Sequence, residues 1–137
     1  IRIDGSLFFG AVHHIEQQLQ TIDTKNPMLK HVLIIANGIN FIDLSGAEML
    51  AHEARRRKKI GGGLYFCGLK KDPLRMLQKS GYLETIGNTH LFDSKSQAIE
   101  EILKRLDPDE CKLCTSRIFI ECSRPQALEK QRILPKP

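Results

Sequence analysis

The sequence predicts an α/β fold: a mostly parallel sheet with an antiparallel N-terminal edge, covered by about four helices. Three observations predict it. The run Val32-Leu-Ile-Ile-Ala36 is apolar on both alternating faces, which suits a strand covered on both sides. Capping signals recur at Ser45, Asp72 and Ser94, each followed by apolar residues at helical spacing. Strand-like and helix-like segments also alternate along the chain, and that alternation calls for right-handed crossovers onto a parallel sheet.

Taking the elements in order, Ile1-Arg-Ile3 alternates and meets a turn signal at Asp4-Gly5, so Ile1 to Phe9 reads as two short strands in a hairpin at the sheet edge. Val12, Ile15, Leu19 and Ile22 then form one face of a helix whose other side carries His13, His14, Glu16, Gln17 and Gln18. Adjacent helical residues point about 100° apart, so His13 and His14 read as a solvated pair and not as shared metal ligands. Asn26-Pro27 ends this helix.

Val32 to Ala36 is the central strand, Asn37-Gly-Ile-Asn40 a turn, and Phe41-Ile-Asp-Leu-Ser-Gly46 a capping segment. Ser45-Gly-Ala-Glu48 matches a capping box, in which the Ser hydroxyl and the Glu carboxylate each take one free N–H. Asp43 either caps the same turn or presents a carboxylate at a docking surface. Ala47, Leu50, Ala51 and Ala54 give a narrow apolar stripe that lets the helix lie close on the sheet, with Arg55, Arg56, Arg57, Lys58 and Lys59 left to water.

Gly61-Gly-Gly63 ends this helix and returns the chain into a strand at Leu64 to Cys67. Asp72-Pro73 reads as an N-cap and first helical residue, with Leu74 and Leu77 facing inward before Gly81. His90-Leu-Phe92 is a short strand. Ser94-Lys-Ser-Gln97 is a second capping box, opening a helix whose Ala98, Ile99, Ile102, Leu103 and Leu106 share a face; Asp107-Pro108 stops it.

At 137 residues and 41% hydrophobic content the chain can bury one core. The expected organisation is one domain over 1–106 and a tail over 107–137. The tail holds four of the six prolines, three of the four cysteines and a single compact apolar run, Ile118-Phe-Ile120, which could dock on a sheet edge or groove. No apolar run approaches membrane-spanning length, and the chain begins without Met inside a strand-like segment; it is expected to be a soluble piece of something longer.

Charge is unevenly placed. Nine basic and two acidic residues lie between Glu53 and Lys79, whereas the whole chain carries a net +5. The run Arg55 to Lys59 is either a basic contact face for anionic lipid headgroups or an acidic partner, or a solvated helix end favoured by the dipole. Nucleic acid is not expected, because aromatic residues make up only 6% of the chain and none interleave with the run.

No catalytic set emerges. The five histidines are scattered, local structure gathers no Ser, His and Asp set, and no phosphate loop of the Gly-x-x-x-x-Gly-Lys type is present. Cys111-x-x-Cys114 has the spacing of half a zinc site, but Cys122 stands alone and the tail has no His. Reduced thiols are therefore the expectation, with no metal and no cofactor. The helix start near Ser45 could hold an anion or nucleotide phosphate on its free N–H groups.

A buried strand, an Asp-x-Ser-Gly turn (Asp43, Leu44, Ser45, Gly46) opening a helix, basic residues and a Gly-rich return into a second strand together resemble the STAS domain, over roughly Ile1 to Leu106. Two further segments resemble the SulP anion-transporter branch of that family: Ile1 to Gly10, with its paired aromatics, and the tail from Cys111 to Cys122. The resemblance implies a non-enzymatic regulatory or interaction domain on the cytoplasmic face of the cell membrane, part of a secondary transporter of sulfate, bicarbonate or dicarboxylate. Its partners would be the transmembrane part of the same polypeptide and another cytoplasmic protein. The alternative it implies is a free-standing anti-sigma factor antagonist that docks through the same turn. Antagonists of that kind carry a phosphorylated Ser or Thr directly after the Asp; here that position is Leu44, so the matching acceptor is missing.

Overall fold

The computed structural model describes residues 1–123. Four strands, β1 (Arg2–Leu7), β2 (His31–Ile42), β3 (Gly63–Cys67) and β4 (Leu91–Phe92), form one sheet in the order β1-β2-β3-β4. Every pairing is parallel. Between them run α1 (Phe9–Lys25), α2 (Leu44–Lys59), α3 (Lys71–Lys79) and α4 (Tyr82–Ile86), followed by α5 (Lys95–Leu103) and α6 (Pro108–Leu113).

Strands that add in sequence order through right-handed crossovers place all their connecting helices on one face. The main core obeys this rule. Leu7, Val32, Ile34, Ala36, Leu64 and Phe66 of the strands meet Leu50 and Ala54 of α2, Leu77 of α3 and Leu83 and Ile86 of α4, with Val12 and Ile15 of α1 at the margin. Each such fully buried aliphatic or aromatic side chain contributes about 1.5 to 3 kcal/mol. The alternate strand residues point the other way: Leu33 pairs with Tyr65 and Ile35 with Cys67 in register, and α5 covers this second face through Ala98 and Ile99.

The N-terminal hairpin expected from the sequence does not form. Arg2–Leu7 is one strand, parallel to β2, so the sheet has no antiparallel edge. The expected turn at Asn37-Gly-Ile-Asn40 is likewise strand, since β2 continues to Ile42. Both corrections have one cause. Asp4 pairs with Gly38 and Gly5 with Ile39, and on either side of this pairing β2 carries one residue more than β1, so Asn37 and Asn40 fall in bulges of β2 and the residues that usually turn a chain become strand. Gly38 is required for the approach: a Cβ there would sit 1.9 Å from Asp4 Oδ1 and 2.9 Å from Asp4 Cα.

Other boundaries hold or move slightly. Asn26 ends α1, Gly61 takes φ +78 after α2, and Gly81 takes φ +76 after α3. Ser94 caps α5 by accepting the Gln97 N–H at 3.2 Å. The helix α3 starts at Lys71, so Asp72 and Pro73 lie inside its first turn and Asp72 is not the cap. Asp107 does not merely stop a helix; its carboxylate accepts the Asp109 N–H at 2.9 Å and opens α6. The described part of the tail contacts the body through Ser96 Oγ, which donates to Glu121 Oε1 at 2.6 Å, and through Lys30, which pairs with Glu110 at 3.7 Å. All three residues of the tail's apolar run, Ile118, Phe119 and Ile120, are exposed.

Candidate interaction surface

The carboxyl ends of β1 and β2 lie side by side, with Leu7 paired to Ile42, and each strand turns directly into a helix. Asp43 organises both turns. Its backbone N–H donates to the Leu7 carbonyl at 2.9 Å. Its Oδ1 accepts the Gly46 N–H at 2.8 Å, capping α2, and its Oδ2 accepts the Phe9 N–H at 3.0 Å, serving the start of α1. That start needs an outside acceptor because Phe8, the α1 N-cap residue, supplies no side-chain bond.

The sequence-expected cap therefore moves by two residues, to the Asp that was the other capping candidate. Ser45 is the second residue of α2, and Asp43 is the cap. A Ser matched to the right helix was placed at the wrong position because Asp and Ser are equally good caps and lie two residues apart. Gly46 is buried against β1, where a Cβ would lie 2.6 Å from the Leu7 carbonyl oxygen. Leu44 lies between the cap and the helix body, 60% exposed.

Around this turn stand four large apolar side chains in water: Phe9 at 80% exposure, Leu44, Phe41 and Phe8. Each flanks a residue fixed by the Asp43 bonds or by the Leu7–Ile42 pairing. The N-terminal segment with the paired Phe8 and Phe9 stood out in the sequence by resemblance, whereas Phe41 carried no signal until the strand register placed it beside Ile42. Isolated exposed apolar residues are ordinary; these four all lie within two residues of Asp43 or Leu7 in the chain.

The basic run divides. Arg55, Lys58 and Lys59 are exposed, as expected. Arg57 is fully buried, contrary to the expectation that the whole run faces water. Its guanidinium donates to Glu53 Oε1 at 2.7 Å, Asp23 Oδ1 at 2.7 Å and the Leu29 carbonyl at 2.9 Å. Arg56, half-buried, donates to Glu53 and to Asp23 as well, and these partners raise its pKa further, the Glu53 bond foremost. Two carboxylates and two guanidiniums thus neutralise each other where α1 ends and α2 ends. Of the run, only Arg55, Lys58 and Lys59 stay exposed; the Glu53 and Arg57 spacing of four was the available signal for the ion pair.

The remaining candidates stay apart. His13 and His14 are both exposed on α1. Cys67 is buried in β3, where burial pushes its thiol up, while backbone N–H groups of Arg117 and Ser116 draw the exposed Cys114 thiol down. Among the described residues no group of three or more His, Cys, Asp or Glu side chains is placed to hold a metal ion. None of the helices among them is long and apolar enough to cross a membrane.

The family model for the STAS domain matches residues 1–98. The chain belongs to the STAS domain family. This STAS domain is 33% identical over 91 residues, 66% of its length, to a Bacillus subtilis (strain 168) protein named "Putative sulfate transporter YvdB". It spans only 17% of that relative's length. Among solved structures it resembles a sulfate transporter family protein from Wolinella succinogenes, with a TM-score of 0.64 and 22% identity, covering 74% of this chain and 81% of that one. The anti-sigma factor antagonist SpoIIAA in its unphosphorylated form gives a TM-score of 0.62 at 17% identity, with 77% and 88% covered. The SulP transporter STAS domain from Vibrio cholerae gives 0.56 at 18%, with 72% and 74% covered. These structural likenesses establish the fold.

Proposed function

We propose that this STAS domain is the cytoplasmic regulatory domain of a SulP-type secondary anion transporter and works without catalysis. Its task is to bind, through the Asp43 turn, the transmembrane part of the same polypeptide or a cytoplasmic protein that controls it. The observation that carries this reading is the exposed cluster of Phe8, Phe9, Phe41 and Leu44 on a rigid, doubly capped turn. Aromatic and leucine side chains supply the desolvated centre of a protein contact, and Asp43 fixes their backbone beforehand, which lowers the ordering cost of association. Arg55, Lys58 and Lys59 give a separate basic edge that suits anionic headgroups.

The likeness to SpoIIAA supports a second reading, a free-standing regulator docking through the same turn. A leucine at position 44 disfavours it, because no hydroxyl stands there to accept a phosphate that would switch docking off. The deciding experiment places Phe9→Glu and Leu44→Glu in the parent polypeptide and measures its assembly and anion uptake in vesicles, with circular dichroism of the 137-residue chain as the folding control. Loss of assembly or uptake with the fold intact is expected. Wild-type behaviour of both variants would sink the proposal.

A further inference from the structure

Four side chains meet at the amino ends of β2 and β3, on the face that α5 covers. Tyr65, 1% exposed, is their centre. Its hydroxyl lies 3.0 Å from His31 Nδ1, its ring centroid 4.4 Å from that of His90, and the Arg105 guanidinium carbon 5.4 Å from the same ring. His90 reaches two groups at once: Nδ1 is 2.9 Å from the Leu64 carbonyl oxygen and Nε2 is 2.8 Å from Arg105 Nη1.

Only one form of His90 satisfies both contacts. A carbonyl oxygen can only accept, so Nδ1 carries the hydrogen; a guanidinium can only donate, so Nε2 must offer its lone pair. The imidazole is therefore neutral. A second proton would aim an N–H at the N–H of a permanent cation. Arg105 follows directly after α5 and, with His31, lines a groove of about 870 Å³ between the sheet and that helix. The groove walls include Leu33, Ile35, Ile99 and Leu103.

We propose that His90 and Arg105 form a pH-operated latch on this groove, closed while His90 is neutral and released by mild acidification, which frees the end of α5 from the sheet. The charged groups around the pair come from several elements. His90 faces Arg105 after α5, Lys58 of α2 and His31 of β2; His31 faces Lys30, Arg105 and His90, with Glu110 of α6 as the carboxylate opposing them. Burial, first, and these cations hold both histidines below their ordinary value of 6.5, while the Leu64 carbonyl works the other way on His90. Because these are bases with lowered native values, the folded state binds fewer protons than the unfolded one just below pH 6.5. The contribution is complete above about pH 6.5 and is lost as pH falls through the lower native values.

Hydrogen exchange of the 137-residue chain at pH 7.5 and 5.5, corrected for intrinsic exchange, tests the latch. Opening of residues 99–106 should be several-fold faster at pH 5.5 than at pH 7.5. His90→Gln, which cannot take the charge, should flatten this response, and Arg105→Gln should show fast exchange at both pH values. Equal exchange at both pH values in the unaltered chain, or an undiminished response in His90→Gln, overturns the proposal. Should a variant not fold, nitrogen-15 shifts of His90 in the unaltered chain decide. Protonation on Nδ1 and titration below 6.5 support the latch, and protonation on Nε2 or titration at or above 6.5 rejects it.

Discussion

The carboxylate of Asp43 reaches the backbone N–H of Phe9 across 3.0 Å, so the first turn of α1 depends on the residue that caps α2. Asp43→Ala removes both acceptors and should lower stability by about 2 kcal/mol, one cap bond plus a second hydrogen bond. Asp43→Asn keeps one carbonyl oxygen but turns an amide NH₂ toward the other N–H, so it should fall between Ala and Asp. Urea unfolding of the three proteins gives the order.

Capping geometry also separates two serines that look alike in sequence. Ser94→Ala should cost about 1 kcal/mol, because Ser94 holds the Gln97 N–H. Ser45→Ala should stay within about 0.5 kcal/mol, since Asp43 already holds the Gly46 N–H. Equal losses at the two positions in thermal melts would contradict the placement of the caps.

Arg57 is expected to be the most sensitive of the five basic residues in its run. Arg57→Met leaves Glu53, buried at 6% exposure, and Asp23 with Arg56 alone, and should cost about 3 kcal/mol. Arg55→Met and Lys59→Met should change stability by less than about 0.5 kcal/mol. Calorimetric midpoints would reveal the contrast directly.

Gly46 tolerates no side chain without movement of backbone. A methyl group there meets the Leu7 carbonyl at 2.6 Å, and that oxygen accepts the Asp43 N–H. Gly46→Ala should therefore destabilise by about 1 to 3 kcal/mol in spite of alanine's better helix propensity. It should also broaden the amide resonances of Phe9 and Asp43. A stabilised variant would mean that α2 can lift from β1 freely.

Much of the fold was legible because hydropathy and caps are local. Ile34 with its neighbours marked the central strand, Ser94 and Gln97 marked α5, and the Ala47 to Ala54 stripe marked the close packing of α2. What escaped depended on partners far away in sequence. Asp4-Gly5 and Asn37-Gly38 carry turn chemistry, and only their pairing with each other makes them part of parallel strands. Arg57 is written like its exposed neighbours, and besides the nearby Glu53 it takes Asp23 and the Leu29 carbonyl, about thirty residues away, to make its burial tolerable. At the interaction surface, Asp43 to Gly46 stood out by motif. Phe9 and Phe41 did not, because nothing in a single sequence distinguishes an aromatic residue turned outward from one turned inward.

The sheet is staggered, and this has a mechanical meaning. β2 pairs with β3 only as far as Ile35 and with β1 from there to Ile42, so its last seven residues, roughly 20 Å of extended chain, run as a two-stranded ledge. The aromatic cluster rides on the tip of that ledge. That stretch does not stand free: Ala36, Ile39 and Ile42 are buried in the core beneath it, so the Asp43 turn is carried on a braced support although only one neighbouring strand pairs with it.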